Sequence, residues 1–501
     1  MNNLLNYEKS RLFCAVRFAD SDKSWDQQRG EDRPVFFLHF FVKHEKKEEF
    51  PMAEAGSSTK QLEQKLGFGD LMGSAVGQII GAGIMSLMPS AIAMTGRSVP
   101  LAFLIAATIT CIGAIPNIFL ASTVRLRGGA YTQMAMLGGP VFAGMSVITT
   151  FTGCFSLAMY CNSLADYVGD LFAWEGGTKK MAALAVILIF YALNIIGVDI
   201  FAKVQNLLVI ILIFSLVIFA VMGIGKVQWE GYFSNDDGYF MTNGLMGLCQ
   251  AGGLLTFATG GATVILNFSA EAKNPTRDIP AVIIVSTLCV AVMYGFISFA
   301  AAGVLPVQEV AGKNLTLVAN VILNRPLYYL FVIGGAGCAL ASTLNNQLAT
   351  TPKPIMQMCD DGWLPQSFAK LNKKKVPIVI LTVYAALGVF TILTGISITF
   401  LSNMTQVTAA VTGVVIAWGP TKLPKMVPEA WEKSKFHVSD GALKALCALG
   451  VAGSLFNTYM NASNLSLQLL LINLGILAFA VVFGMTMSKR AHISVSYEVV
   501  D

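Results

Sequence analysis

Apolar runs long enough to cross a bilayer recur along this chain, among them 101–124 and 207–224. About 20 apolar residues match a hydrocarbon core about 30 Å thick. So many runs leave little to build a water-soluble core, and the spans must bury their small and polar faces against each other. The chain therefore reads as one all-α integral membrane domain with about twelve transmembrane helices. The spans fall near 68–95, 101–124, 141–168, 181–198, 202–224 and 244–268, then 281–305, 327–351, 378–394, 398–419, 443–459 and 465–487. Composition agrees. Only 13% of the 501 residues are charged, against about 25% in a soluble domain.

The net charge of +5 is no sign of a nucleic-acid partner. The Lys and Arg residues sit at membrane edges, where they report orientation. With the N-terminus inside, the inner loops carry Arg125, Arg127, Lys353 and Lys373 to Lys375, among others, and outnumber outer cations by more than two to one. Both termini are then cytoplasmic, in the cell membrane. The nine cysteines are scattered singly, mostly in apolar runs, as buried free thiols would be. Residues before Met52 hold a run, 35–42, too short to span. They are expected to be a dispensable extension, which the intact mass of the native protein would reveal.

Two spans are interrupted by glycine. The first holds Gly77, Gly81 and Gly83, and the sixth holds Gly252, Gly253, Gly260 and Gly261. Glycine alone is satisfied by close helix packing. The spacing says more: the interrupted spans lie five apart, an odd number, so the second half enters the membrane inverted. Matching Gly-interrupted segments in two inverted halves point to a transporter's binding site. A broken helix frees N–H and C=O groups, which persist in a membrane only beside a cavity or a partner. The N-terminal end of a half-helix suits a carboxylate, and freed carbonyls suit an ammonium. Gly81-Ala82-Gly83 is thus the expected carboxylate seat, and the region around Phe257 to Gly261 the expected amine seat. A zwitterionic amino acid satisfies both.

At these residues the sequence resembles the amino acid–polyamine–organocation (APC) superfamily of permeases. Ile79-Ile80-Gly81-Ala82-Gly83-Ile84-Met85 is similar to the family's first-span segment, and Leu193-Asn194-Ile195-Ile196-Gly197-Val198 with Val204-Gln205 to its connection into span five. Phe257-Ala258-Thr259-Gly260-Gly261, then Glu271-Ala272-Lys273-Asn274-Pro275, resembles its sixth span and exit. Asp361-Gly362-Trp363-Leu364-Pro365 resembles the segment after span eight. The resemblance implies the leucine-transporter fold, with a 5+5 inverted-repeat core and two peripheral helices. On that plan 1–66 is a cytoplasmic segment, 67–421 the core (repeats 67–224 and 244–421), 441–487 the peripheral pair and 488–501 the tail. It implies substrate contacts at Ile80, Gly81, Ala82, Gly83 and Ile84 and at Phe257, Ala258, Thr259, Gly260 and Gly261, with Phe257 as a gate.

Three departures matter. Ala82 replaces a serine common in the family, and Ala262 an aromatic found in many relatives. Leu212 stands where some members carry a lysine with a coupling role. Ser342 and Thr343 in span eight have two readings: a sodium site shared with first-span carbonyls, or hydroxyls bonded back to their own helix. Asp70 and Glu271, near span ends, are the other coupling candidates, and Glu271 is expected to join a charge network with Lys273 and Arg277. No acid lies deep in a span, which favours neutral amino acids over arginine or polyamines. Other small amines remain the alternative substrates, and a transport-inactive sensor or subunit the alternative role. An enzyme is disfavoured: the four histidines (His39, His44, His437 and His492) all lie outside the spans, so hydrolytic metal ligands are lacking. No cofactor or metal is expected.

Overall fold

In hydrocarbon every backbone polar group must be satisfied within the chain, so helices dominate. The computed structural model describes residues 58–396, 406–462, 465–489, 491 and 497–498. The segment before Met52 and most of the tail lie outside them. The principal helices are α1 (Phe68–Ile79), α2 (Ala82–Thr95), α3 (Val99–Thr123), α4 (Gly129–Gly138), α5 (Pro140–Cys154), α6 (Ser156–Leu171), α7 (Gly176–Ile195) and α8 (Val198–Ile224). They continue with α9 (Gly244–Thr259), α10 (Pro275–Gly303), α11 (Cys338–Thr350), α12 (Pro352–Asp360), α13 (Ile378–Thr394), α14 (Gln406–Trp418), α15 (Asp440–Ala462) and α16 (Leu467–Met487). Among the described residues, nine segments are long and apolar enough to cross a membrane, and Ile378–Thr394 is a shorter apolar helix. One of the nine, Leu87–Thr123, runs from α2 through the tight turn Gly96–Ser98 into α3. The expected span 398–419 is described only from Gln406.

Helix α8 shows how the sequence sorts lipid from protein. Leu207, Ile210, Phe214, Val217 and Val221 form an exposed stripe, while Gln205, Val209, Leu212, Leu216 and Phe219 are buried. Both stripes keep helical spacing. The apolar exposed stripe suits lipid, and the buried face packs on α1, α10 and α11. Helix α1 sits centrally, against α8, α10, α11 and the 3-10 segment Ala262–Phe268. Helix α9 packs on α2 and α3. The last two helices pack on the outside of this group, α15 on α14 and α3, α16 on α5 and α14.

The loops that positive charge assigns to the inner side come together at one end, hereafter the basic end. There Leu66 pairs with Ala272 as a parallel bridge, and strand β1 (Arg125–Leu126) pairs antiparallel with β2 (Tyr497–Glu498). Neither pairing is visible in the sequence, since two-residue strands leave no periodicity to read. At the opposite end Arg97 gathers the 232–237 loop, donating to Tyr232 O at 2.9 Å, Ser234 O at 2.7 Å and Asp237 Oδ2 at 2.6 Å. Its guanidinium holds the Asp237 carboxyl below the usual carboxylate range.

Candidate functional site

Both glycine-interrupted spans are broken, at the same level of the fold. Helix α1 ends at Ile79. Ile80 (φ −83°, ψ 62°) and Gly81 (φ −100°, ψ −143°) leave the helical region, and α2 starts at Ala82. In the sixth span α9 ends at Thr259, Gly260 is extended (φ −80°, ψ 174°), and Gly261 has φ +115°. A side chain is strained at that φ, so glycine is required. A Cβ there would also lie 3.2 Å from Gln78 Cγ and 3.3 Å from Gln78 O, which shows how closely the two breaks approach.

The carbonyls released by α1 find side-chain donors, as a break inside a membrane demands. Gly77 O accepts from Thr343 Oγ1 at 2.9 Å and Ser342 Oγ at 3.2 Å. Both hydroxyls also lie within bonding reach of Ala339 O, at 3.0 and 2.9 Å. The two sequence readings of this pair thus share one geometry, with hydroxyls tied to their own helix and to the first-span break. Ile79 O accepts from Tyr294 Oη of α10 at 3.3 Å. The break continues into a buried amide layer. Asn346 Nδ2 donates to Gln78 Oε1 at 2.9 Å, and Asn346 Oδ1 is bonded to Ser74 Oγ. Asn345 Nδ2 donates to Gln205 Oε1 and accepts through Oδ1 from Asn194, both at 3.0 Å. These neutral groups join α1, α7, α8 and α11 without a formal charge.

The start of α2 is different. Its cap residue Gly81 has no side chain to bond the first-turn N–H groups. At the end of α9, Gly260 N donates to Thr256 O at 2.9 Å, and the chain then leaves the helix. These two ends touch: a Cβ on Gly83 would lie 2.6 Å from Ala258 Cα. The N-terminal end of α2 and the C-terminal end of α9 therefore adjoin.

The structure brings together Ile80, Gly81, Gly83, Ile84, Ala258, Gly260, Gly261, Ser342 and Thr343. Gly83 corrects one expectation: it lies in the first turn of α2 rather than in a non-helical segment, packed closely on α9. Ala82 opens α2. Thr259 turns toward α3, its hydroxyl 2.8 Å from that of Thr110. Phe257 is 51% exposed, on the α9 face shared with half-buried Gln250 and Leu254. The remaining candidates lie elsewhere. Asp70 accepts from Gly67 N at 3.1 Å and Asn206 Nδ2 at 3.0 Å, holding the start of α1. Glu271, at the basic end, pairs with Lys353 Nζ at 2.7 Å. Lys273 and Arg277 are exposed, so the expected network with them is replaced by a buried pair to α12. A cavity of about 30 Å³ lies beside this pair.

Sequence reading missed Tyr294 and Gln78. The signal for Tyr294 was a hydroxyl amid an apolar span, and for Gln78 an amide next to the glycine cluster. Tyr294→Phe removes only the donor to Ile79 O. A buried acceptor left unpaired costs about 1–3 kcal/mol. The melting temperature of purified Tyr294→Phe should fall accordingly, and an unchanged value would assign Ile79 O another partner.

The comparisons with known proteins point the same way as the geometry. A family model described as amino acid permease matches residues 66–483. A branched-chain amino acid permease of Bacillus subtilis is 26% identical over 347 residues, covering 65% of this chain and 73% of its own. A vacuolar cationic amino acid transporter of Arabidopsis thaliana is 27% identical over 341 residues, covering 64% and 56%. A methylthioribose transporter of Bacillus subtilis is 24% identical over 337 residues, covering 64% and 72%.

Proposed function

The chain belongs to the amino acid permease family, and from that premise we propose that it is an alternating-access carrier of neutral amino acids at the cell membrane, with both termini cytoplasmic. The observation that carries this reading is the junction of α2 and α9. The N-terminal end of one half-helix and the C-terminal end of another lie side by side there, an arrangement that would suit the carboxylate and ammonium of an α-amino acid. Around them the named polar side chains are neutral: Gln78, Tyr294, Ser342, Thr343 and Asn346. A cationic side chain would enter this surrounding without a partner carboxylate, at a cost. Phe257, half-exposed on the same helix end, would close over a bound substrate.

Coupling follows from the same inventory. Leu212 is fully buried, with no titratable group in its place. Ser342 and Thr343 are engaged with Gly77 O and Ala339 O. We therefore expect exchange that needs internal substrate and neither a sodium nor a proton gradient. Glu271 at the basic end is the carboxylate that would serve if a proton is coupled.

The test is exchange by purified protein in liposomes. Preloaded unlabelled leucine should drive uptake of labelled leucine, and external alanine or serine should compete better than arginine. Arginine outcompeting all three would overturn the neutral-substrate reading. Accumulation driven by a sodium gradient alone, and lost in Thr343→Ala, would overturn the ranking of coupling modes.

A further inference from the structure

The basic end contains a contact that the carrier reading does not require. Arg125 and Arg127, on and next to strand β1, are buried, with side chains 7% and 9% exposed. Each holds a different piece of the end. Arg125 Nη2 lies 3.3 Å from Ala272 O and 3.4 Å from Lys273 O, at the exit of the sixth span. Arg127 Nη1 lies 3.5 Å from Thr59 O in the N-terminal segment. That segment is fastened further: Ser58 N and Oγ donate to Asp360 Oδ2 at 2.9 and 2.8 Å, and Leu66 exchanges backbone bonds of 3.0 Å with Glu271 O and Lys273 N.

Two buried guanidiniums need compensating charge. Among the described residues, the acid paired with both is Glu498 of strand β2. Its Oε1 meets Arg127 Nη2, and its Oε2 lies 3.8 Å from Arg125 Nη1. The antiparallel register sets Arg125 opposite Glu498 and Leu126 opposite Tyr497, so backbone pairing and charge act on the same two residues. Tyr497 packs on the hydrophobic core. Both arginine Nε atoms are buried without partners, so Glu498 carries most of the local compensation.

We propose that β1 with Arg125 and Arg127 forms a strand-docking site for the acidic C-terminal strand of this same chain, and that the docked strand is a strap that must release before the basic end opens. The strap holds the arginines on the N-terminal segment and the sixth-span exit, two pieces that must separate if the site is to open to that side. This rests on the alternating-access reading, and the experiment separates the two.

The first arm reads opening without substrate. Cys359 of α12 is buried next to Asp360, which anchors the N-terminal segment. In a variant retaining only that cysteine, a membrane-impermeant maleimide applied from the basic end reports exposure. Glu498→Gln should raise the labelling rate several-fold, the scale on which loss of one partner from a half-buried ion pair shifts a two-state equilibrium, the Glu498 side chain being 34% exposed. A chain ending at Ser496 should do the same. The second arm works in the opposite direction and does not depend on a weakened protein. Leu126→Cys with Tyr497→Cys, in a background free of other cysteines, places two thiols across the strand pair. Oxidation should suppress leucine exchange, and dithiothreitol should restore it. Unchanged Cys359 labelling in both tail variants, or full exchange with the strap cross-linked, overturns the proposal. Absence of exchange in the reduced protein would instead refute the carrier reading, with the Cys359 arm still deciding the strap.

Discussion

Gly83→Leu is expected to reduce transport by about 100-fold, because a side chain at this position has nowhere to go. Its Cβ would sit 2.6 Å from Ala258 Cα and 2.9 Å from Ala258 Cβ, so the obstacle includes backbone rather than the end of a flexible side chain. Helix α2 and helix α9 would have to part. Overpacking of this kind costs about 1–3 kcal/mol, and the upper value corresponds to about two orders of magnitude in an equilibrium. The separation falls at the substrate site proposed above, between the start of α2 and the end of α9, so on that reading substrate binding should suffer more than folding. Gly113→Leu is the control. Gly113 has no heavy atom within 4 Å of its Cβ position, and the new side chain would lie on the exposed face of α3. Exchange in liposomes by both variants, with detergent melting curves alongside, is the measurement. Normal transport by Gly83→Leu would place the substrate away from the α2–α9 junction.

The same junction shows how far sequence reading reaches. The two breaks were legible because glycine clusters punctuate otherwise apolar runs. The location of each break was less so. Gly81 and Gly83 look equivalent on paper, yet one lies at the break and the other in the helix that follows. What distinguishes them is a tertiary neighbour: a Cβ on Gly81 would lie 2.5 Å from Thr343 Oγ1, while Gly83 faces the backbone of α9. Ser342 and Thr343 were legible as candidates, but their two readings could not be separated. The same hydroxyls bond their own helix and the broken one, and spacing along one helix says nothing of its neighbour. Tyr294 and Lys353 illustrate the limit more sharply. Their partners, Ile79 O and Glu271, stand 215 and 82 residues away in sequence. No local period encodes such pairings. The strand pair at the basic end was invisible for the same reason, since Arg127 and its partner Glu498 stand 371 residues apart.

Lys353→Met should be the most destabilising single substitution at the basic end. Lys353 Nζ donates to Glu271 Oε1 at 2.7 Å, with the two side chains 8% and 4% exposed. Glu271 Oε2 is already buried without a partner, so among the described residues the carboxylate has no other donor to fall back on. Removing one member of a buried pair strands the other in low dielectric, at a cost of about 3–5 kcal/mol. Glu271→Gln alone leaves the ammonium in the same position and should cost a similar amount. The double variant Glu271→Gln with Lys353→Met removes both charges. Replacing a buried pair by neutral groups of similar volume is often neutral or stabilising, so its melting temperature should return close to that of the parent. The cycle is then strongly non-additive, as residues in direct contact allow. Melting curves of the four proteins in one detergent provide the test. Additive losses would mean that the two groups act separately, and losses below about 1 kcal/mol in each single variant would mean that water compensates them. The pair joins the exit of the broken sixth span to α12, so its loss should also loosen the basic end. Faster maleimide labelling of Cys359 in Lys353→Met than in the double variant would place the effect there, and equal rates would confine it to global stability.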